Sequence, residues 1–425
     1  MTNHKANEKD NSNSRVELLA PAGNFEKLKV AIHYGADAVY VGGKSLSLRA
    51  QADNFSIDGL KYAAEYAQKR GVKLYVVVNA FMHNNDLPAL ETFLTEIKDS
   101  GVNALIMSDP GAIAAAKEIA PAIPIHISTQ ANVTNKRSAK FWEDAGAKRV
   151  IVARELSLEE IAEIKLGVNI EVEAFVHGAM CISYSGRCLL SNFMTERDSN
   201  RGHCAHPCRW NYHLVEEKRP GEYYKIEEDE RGTYVFNSKD LCMIEHIPEL
   251  IGAGVDSLKI EGRMKGINYV ASAVLMYRKA IDAYLQDPGK YEYNPMWLEE
   301  LKKISHRGYT KGFFFGDLDK SAQNYSSSSY IRSYDFVGIV KGETVDGMTH
   351  VQARNKIIKG DRLEVYTKEL PPKEFVLDFL QNTDGEDVEF AQPLSEVYMK
   401  FDFEVNENDL IRREIEGADE NPLCR

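Results

Sequence analysis

The chain has 425 residues, 44% of them hydrophobic and 27% charged, and carries a formal net charge of −12. That length suits two or three domains with a sizeable core. The acidic balance excludes nucleic-acid binding driven by general charge, while leaving room for a local basic patch that docks one structured RNA.

Met1 to Arg15 is polar, lacks the apolar stretch of a signal peptide and reads as a disordered tail. The apolar runs elsewhere are strand-sized, far below the ~20 residues that span a bilayer. The expectation is a cytoplasmic protein without membrane association. Disulfides are rare in that compartment, so six cysteines call for another explanation: buried thiols, nucleophiles or metal ligands.

From residue 16 onward one pattern repeats: a short β-branched run, a turn, then a longer amphipathic stretch. Strands are expected at Val16–Ala20, Ala38–Val41, Lys73–Val78, Ala104–Met107, Ile123–Ile127, Arg149–Val152, Ile170–Phe175 and Ser257–Ile260, with helices such as Phe25–His33, Ile57–Lys69 and Leu87–Asp99 between them. Gly35, Gly71, Gly101, Gly146 and Gly254 each stand before the next strand, where a left-handed helix cap is expected. Eight strands alternating with helices predict an α/β fold, a (β/α)8 barrel over residues 16–320, with an open doubly wound sheet as the alternative. Asn79, Ser128 to Asn132, Arg154, His177 and Glu261 to Arg263 then gather at one rim.

The spacing breaks once. Roughly eighty residues, Gly178 to Asp256, stand where a ~30-residue βαβ unit would suffice. A charged stretch inside this insertion, Glu216 to Gly232, reads as an exposed hairpin. Beyond the barrel come a helical stretch, Tyr277 to Ser305, and a linker at Ser326 to Ser329. Residues 330–415 then read as a small all-β domain, with strands at Val337–Lys341, His350–Ala353, Arg362–Tyr366 and Phe375–Phe379. Scaffolding and docking are equally good roles for such a module.

Cys181, Cys188, Cys204 and Cys208 lie in the first half of the insertion, separated by six, fifteen and three residues. Thiolates so grouped suit zinc or an iron–sulfur cluster, and the absence of tight Cys-x2-Cys pairs favours the cluster. Cys242, expected at a helix start, is either an alternative fourth ligand or a buried thiol. Cys424 reads as incidental. Among the surrounding polar residues, arginines can bind anions or tune a cluster.

Several motifs are shared with a known group. Glu173 to Cys181, Ser185 to Ser191, Leu18 to Gly23, Ser47 to Ala50, Lys259 to Met264 and His306 to Thr310 together resemble the signature of the collagenase-like peptidase family, the U32-type peptidases, over nearly the whole chain. Better understood members of that family are iron–sulfur proteins that help hydroxylate RNA bases or the ubiquinone ring without oxygen. The resemblance therefore implies a tRNA-modifying enzyme that converts wobble uridine to 5-hydroxyuridine in a prephenate-dependent reaction. It further implies a cluster, expected to be 4Fe-4S, on Cys181, Cys188 and Cys204, with Cys208 or Cys242 as the fourth ligand. A paralogous protein is a candidate partner, and a third reading makes the chain a cluster-bearing protein that presents RNA to a partner.

Within this reading Arg49, Arg154, Lys259 and Arg263 are candidates to bind the small anionic co-substrate. Glu261, His177 and Asn132 are candidates for proton transfer. Lys136, Arg137, Lys140, Lys148 and Arg149 form the densest basic cluster for tRNA, or else a solvated helix face. The alternative activity is peptide hydrolysis at a metal site or by a Cys–His pair, Cys181 or Cys188 with His177 or His203. The chain has neither a His-Glu-x-x-His motif nor a Gly-x-Ser-x-Gly elbow.

Overall fold

The computed structural model describes residues 16–43, 53–181, 183–209, 213–215, 223–225, 239–316 and 330–415. The amino-terminal tail, Arg49 and its motif, most of the charged hairpin segment, the serine linker and Cys424 lie outside these residues. Eight parallel strands close on themselves: β1 (Glu17–Pro21), β2 (Ala38–Gly42), β3 (Lys73–Val78), β4 (Ala104–Met107), β5 (Ile125–Ile127), β6 (Arg149–Ile151), β7 (Glu171–Ala179) and a strand at Ser257–Ile260. That last strand pairs with both β1 and β7, so the sheet has no edge there and the barrel is shut. The open-sheet alternative is thereby excluded.

Helices α1 (Phe25–His33), α2 (Ile57–Gln68), α3 (Leu87–Ile97), α4 (Pro110–Ile119), α5 (Lys136–Asp144) and α6 (Leu158–Gly167) alternate with the strands. Local chemistry sets their ends. Asn24, Ser56, Asp109 and Asn135 cap first turns with side-chain oxygens, and Ser157 with Glu160 completes a capping box. The five glycines expected in the left-handed region all occupy it, with φ between +70° and +102°.

After β7 come α7 (Leu190–Thr195) and an antiparallel pair, β8 (His213–Val215) with β9 (Tyr223–Lys225), so the hairpin starts earlier than expected. The insertion also ends earlier than its spacing suggests. β7 runs on to Ala179, and β10 (Asp240–Cys242) returns antiparallel to it, placing Cys242 opposite His177. Cys242 is thus in a strand rather than at a helix start. Helix α8 (Ile247–Gly252) then leads into β11, the strand at Ser257–Ile260.

Helix α9 (Ile267–Gln286) begins ten residues before the expected helical stretch, and α10 (Met296–Lys302) and β12 (Tyr309–Thr310) follow. The carboxy-terminal domain is antiparallel. It comprises β13 (Tyr334–Val345), β14 (Met348–Ala353), β15 (Ile357–Ile358), β16 (Arg362–Tyr366), β17 (Lys373–Val376), β18 (Leu380–Asn382), β19 (Phe390–Ala391), β20 (Glu396–Met399) and β21 (Leu410–Glu414). It has its own apolar core, yet Ile339, Tyr366 and Leu410 pack into that of the barrel. Arg412 is fully buried between the two units, where it donates to Glu300 at 2.7 Å and Glu364 at 2.8 Å. Ion pairing at both carboxylates ties the two units together at this point.

The barrel interior is not an aliphatic plug. At the amino-terminal ends of the strands, Arg149 bridges Glu17 at 2.6 Å and Glu173 at 2.7 Å. Glu173 also takes the Lys259 ammonium at 2.8 Å, while Tyr75 and Ser257 donate to Glu17. β1 and β6 are not neighbours, so these bonds cross the barrel. They build an ionic floor under the rim.

Candidate functional site

The rim at the carboxyl ends of the strands encloses a small cavity of about 60 Å³ lined by Tyr40, Asn79, Ser128, Gln130, Arg154, Phe175, Lys259, Glu261 and Arg263, among others. Three of the four cations singled out in the sequence meet here, and Arg49 lies outside the described residues. Arg154 lies 4.2 Å over the Phe175 ring and donates to the carbonyl of Ala179 at the end of β7. The Lys259 ammonium sits 4.4 Å from the Tyr40 ring, with Glu173 beneath it. Burial pulls that ammonium below its usual range, against the pull of Glu173. Arg263 is buried against β2: a Cβ on Gly42 would stand 2.5 Å from its Nη1. Glycine at position 42 therefore makes room for a guanidinium.

Two further groups belong to this site although the sequence reading did not name them. Tyr40 and Phe175 are aromatics inside strand-like apolar runs, where they look like core. Gln130 sits within the Ser128–Asn132 stretch, and its Oε1 is buried with no hydrogen-bond partner among the described residues.

His177 is elsewhere. Strand alternation carries Glu173 and Phe175 into the barrel and would carry His177 there too. A register shift intervenes: Lys259 faces Phe175, but the next residue, Ile260, faces His177. Such a bulge reverses which side the following residues occupy. The His177 ring accordingly packs 5.5–5.6 Å from the rings of Tyr269, Tyr277 and Tyr309, and neither ring nitrogen has a hydrogen-bond partner among the described residues. Its expected part in proton transfer at the cavity is corrected on that ground. The same geometry leaves no Cys–His pair through His177.

Burial, helped by Lys265 and His306, pushes His177 down to about 3. The unfolded chain binds a proton near pH 6.5 that the folded chain refuses. The neutral ring's contribution to stability is therefore complete above about 6.5 and is lost as the pH falls toward 3. The urea midpoint should drop between pH 7.5 and 5, and His177→Phe should flatten that drop. Some slope should remain, because burial also lowers His126 and His306. An unchanged slope would show that His177 already carries a proton partner.

The basic cluster is also dispersed. Lys140 pairs with Glu143 and Asp144 on its own helix face, and Arg149 points into the barrel floor. The first is a solvated helix face and the second is buried.

The cysteine loop lies against the rim. Asn132 donates to the carbonyl of Ser185 at 2.9 Å, and a Cβ on Gly186 would meet Gln130 Oε1 at 2.5 Å. Ser199 and Asn200 donate to the carbonyl of Cys188, Ala205 donates to Ser191, and Arg201 forks onto Asp86 after β3. The His206 N–H donates to Cys204 Sγ at 3.4 Å. Cys181 is exposed, while Cys188, Cys204 and Cys208 are half-buried. Cys242 is buried behind β7, and its thiol is pushed up to about 12, chiefly by burial.

Beside this loop a larger open cavity of about 620 Å³ is lined by Asn132, Thr134, Ser183, Tyr184 and Arg187. Asn132, a proton-transfer candidate from the sequence, lines this outer cavity rather than the inner one.

These features define a class: a closed (β/α)8 barrel with a cysteine-bearing insertion packed on its rim and an antiparallel domain joined to it. The chain belongs to peptidase family U32, whose model matches residues 23–324, and the family's C-terminal domain matches residues 332–412. The tRNA hydroxylation protein P1 of Bacillus subtilis is 43% identical over 93% of this chain and 94% of its own. The tRNA hydroxylation protein P of Escherichia coli is 41% identical over 88% of this chain and 91% of its own. The 23S rRNA 5-hydroxycytidine C2501 synthase of Escherichia coli is 32% identical over 84% of this chain and 53% of its own.

Proposed function

We propose that this protein is an iron–sulfur-dependent tRNA hydroxylase of the cytoplasm that converts wobble uridine to 5-hydroxyuridine, with prephenate as the co-substrate. The observation that carries this reading is the adjacency of a cation-lined barrel mouth and a four-thiol loop. The names of the most similar relatives give the RNA class.

Cys181, Cys188, Cys204 and Cys208 would hold the cluster. Their chemistry fits: four thiols on one hydrogen-bonded loop, with a backbone N–H already directed at one sulfur. Among the described residues no three His, Cys, Asp or Glu side chains converge as a single ion needs. A cluster spreads its thiolates over several irons, so the looser loop suits it better. Cys242 lies buried behind β7, opposite His177 and away from the loop that carries the other thiols, so the proposal gives the fourth position to Cys208.

Bound there, a cluster supplies one-electron redox chemistry. The chain's own residues do the rest. Arg154 and Arg263 hold the two carboxylates of a dicarboxylic co-substrate, Lys259 adds a third positive charge, and Glu261 at the same wall accepts or returns a proton. The apolar walls, Val77, Ile106, Ile151 and Phe175, keep water from the reacting groups.

Anaerobically purified protein is expected to contain iron and acid-labile sulfide, and Cys181→Ala to lose both. A colourless protein carrying zinc or no metal would overturn the reading and bring peptidase assays forward. Nucleosides from the tRNA of a deletion strain should lack 5-hydroxyuridine by mass spectrometry.

A further inference from the structure

We propose that the outer cavity is a nucleobase subsite that takes an extruded uracil, with Tyr184 as its stacking platform and Asn132 as the reader of the base edge. The assignment rests on the RNA-hydroxylase reading and adds where the base sits and the residues that choose it.

The cavity is roomy and open, as a site for a base swung out of an RNA loop must be. Tyr184 is 49% exposed on its wall, and an aromatic ring so placed offers a base a surface to stack on. Asn132 has a left-handed backbone, φ +51°, and its Nδ2 donates to the carbonyls of Ser185 and Gln130. Those two carbonyls fix the amide orientation, because a flipped amide would set oxygen against oxygen. Its Oδ1 is therefore committed as an acceptor, and it is buried with no donor among the described residues. Arg187 on the same wall can only donate, and the hydroxyls of Thr134 and Ser183 can donate.

An acceptor on a wall that also carries donors complements uracil, whose edge reads acceptor, donor, acceptor across O2, N3–H and O4. Cytosine presents a bare N3 to the same oxygen, so two acceptors would face each other. Such mismatches against a fixed polar group discriminate strongly. Placement agrees with chemistry: Tyr184 lies in the loop between Cys181 and Cys188, and Gly186 of that loop abuts Gln130 of the inner cavity. A base in the outer cavity borders the cations that would hold the co-substrate.

The test is fluorescence anisotropy of the anaerobically purified protein with labelled RNA hairpins identical except for one loop position: uridine, cytidine, guanosine or an abasic site. The uridine hairpin should bind about ten-fold more tightly than the abasic one, the scale of one stacked base. Tyr184→Ala should erase that difference and Tyr184→Phe restore it. Asn132→Gly, which keeps the left-handed backbone, should abolish the preference for uridine over cytidine while retaining the stacking gain. Equal binding of all four hairpins would overturn the subsite and leave the RNA reading standing. Guanosine matching uridine would overturn the uracil assignment, since guanine N1–H also suits Asn132. Binding of no hairpin at all would sink the RNA-hydroxylase reading and this proposal with it.

Discussion

Arg149→Met is expected to cost about 3–5 kcal/mol of stability, the range for leaving buried charges without their partner. Arg149 joins two carboxylates from strands flanking β11, Glu17 and Glu173, in a layer shielded from water. Without the guanidinium, Glu17 retains, among the described residues, Tyr75, Ser257 and the half-exposed Lys73, and Glu173 retains Lys259. The acid dependence should change sign as well. Burial alone would raise the Glu17 carboxyl, but Arg149, Tyr75 and Lys73 overcome it and hold it at about 2. In the parent protein this stability is fully present above the unfolded value near 4.5 and is lost as the pH falls toward 2. In the variant burial dominates, the carboxyl rises above its unfolded value, and acid relieves the unpaired charge. Urea midpoints of parent and variant should therefore converge between pH 7 and pH 3. Adding Glu17→Gln to the variant should recover part of the loss, since position 17 then needs no counter-ion while Glu173 keeps Lys259. Parallel midpoints across that range would show that the floor is wet and its charges screened.

The barrel was legible because parallel strands buried on both faces read as plain apolar runs, and the helices between them carry explicit caps. Lys73–Val78, Ala104–Met107 and Ser257–Ile260 match the structure residue for residue. Legibility failed where one element overrules another. The helical stretch is expected from Tyr277, yet Ile267 to Met276 is already the first half of α9, buried against the barrel. β10 is three residues long and is held between the end of β7 and β12. His177 shows the sharpest limit: its strand was expected, but a one-residue register shift, invisible in the sequence, turned it away from the cavity. Arg154, Lys259, Glu261 and Arg263 were legible as a group because each follows or ends a barrel strand. Tyr184 was not, because nothing in Ser183-Tyr184-Ser185 distinguishes a stacking platform from a surface loop residue.

Arg263→Met is expected to lower hydroxylated nucleoside per cell about a hundred-fold while leaving the thermal midpoint within a few degrees of the parent. Losing one charge-assisted clamp on an anionic co-substrate in an enclosed site has that scale. Arg263→Lys should not rescue it, since an ammonium cannot reproduce the two-pronged geometry. Gly42→Ala separates position from charge. Its added Cβ would lie 2.5 Å from Arg263 Nη1 and 2.7 Å from Asn54 Oδ1, so the guanidinium must move although its charge is intact. A loss of ten-fold or more in that variant assigns the effect to where the guanidinium sits. Gly252→Ala is the matched control: its Cβ meets nothing within 4 Å, and alanine favours the helix that position 252 closes. It should leave the nucleoside yield unchanged. If Gly42→Ala behaves like Gly252→Ala while Arg263→Met fails, the site needs only the cation's field. If Arg263→Met is as active as the parent, the anion is held elsewhere, and the barrel mouth is not where the co-substrate binds.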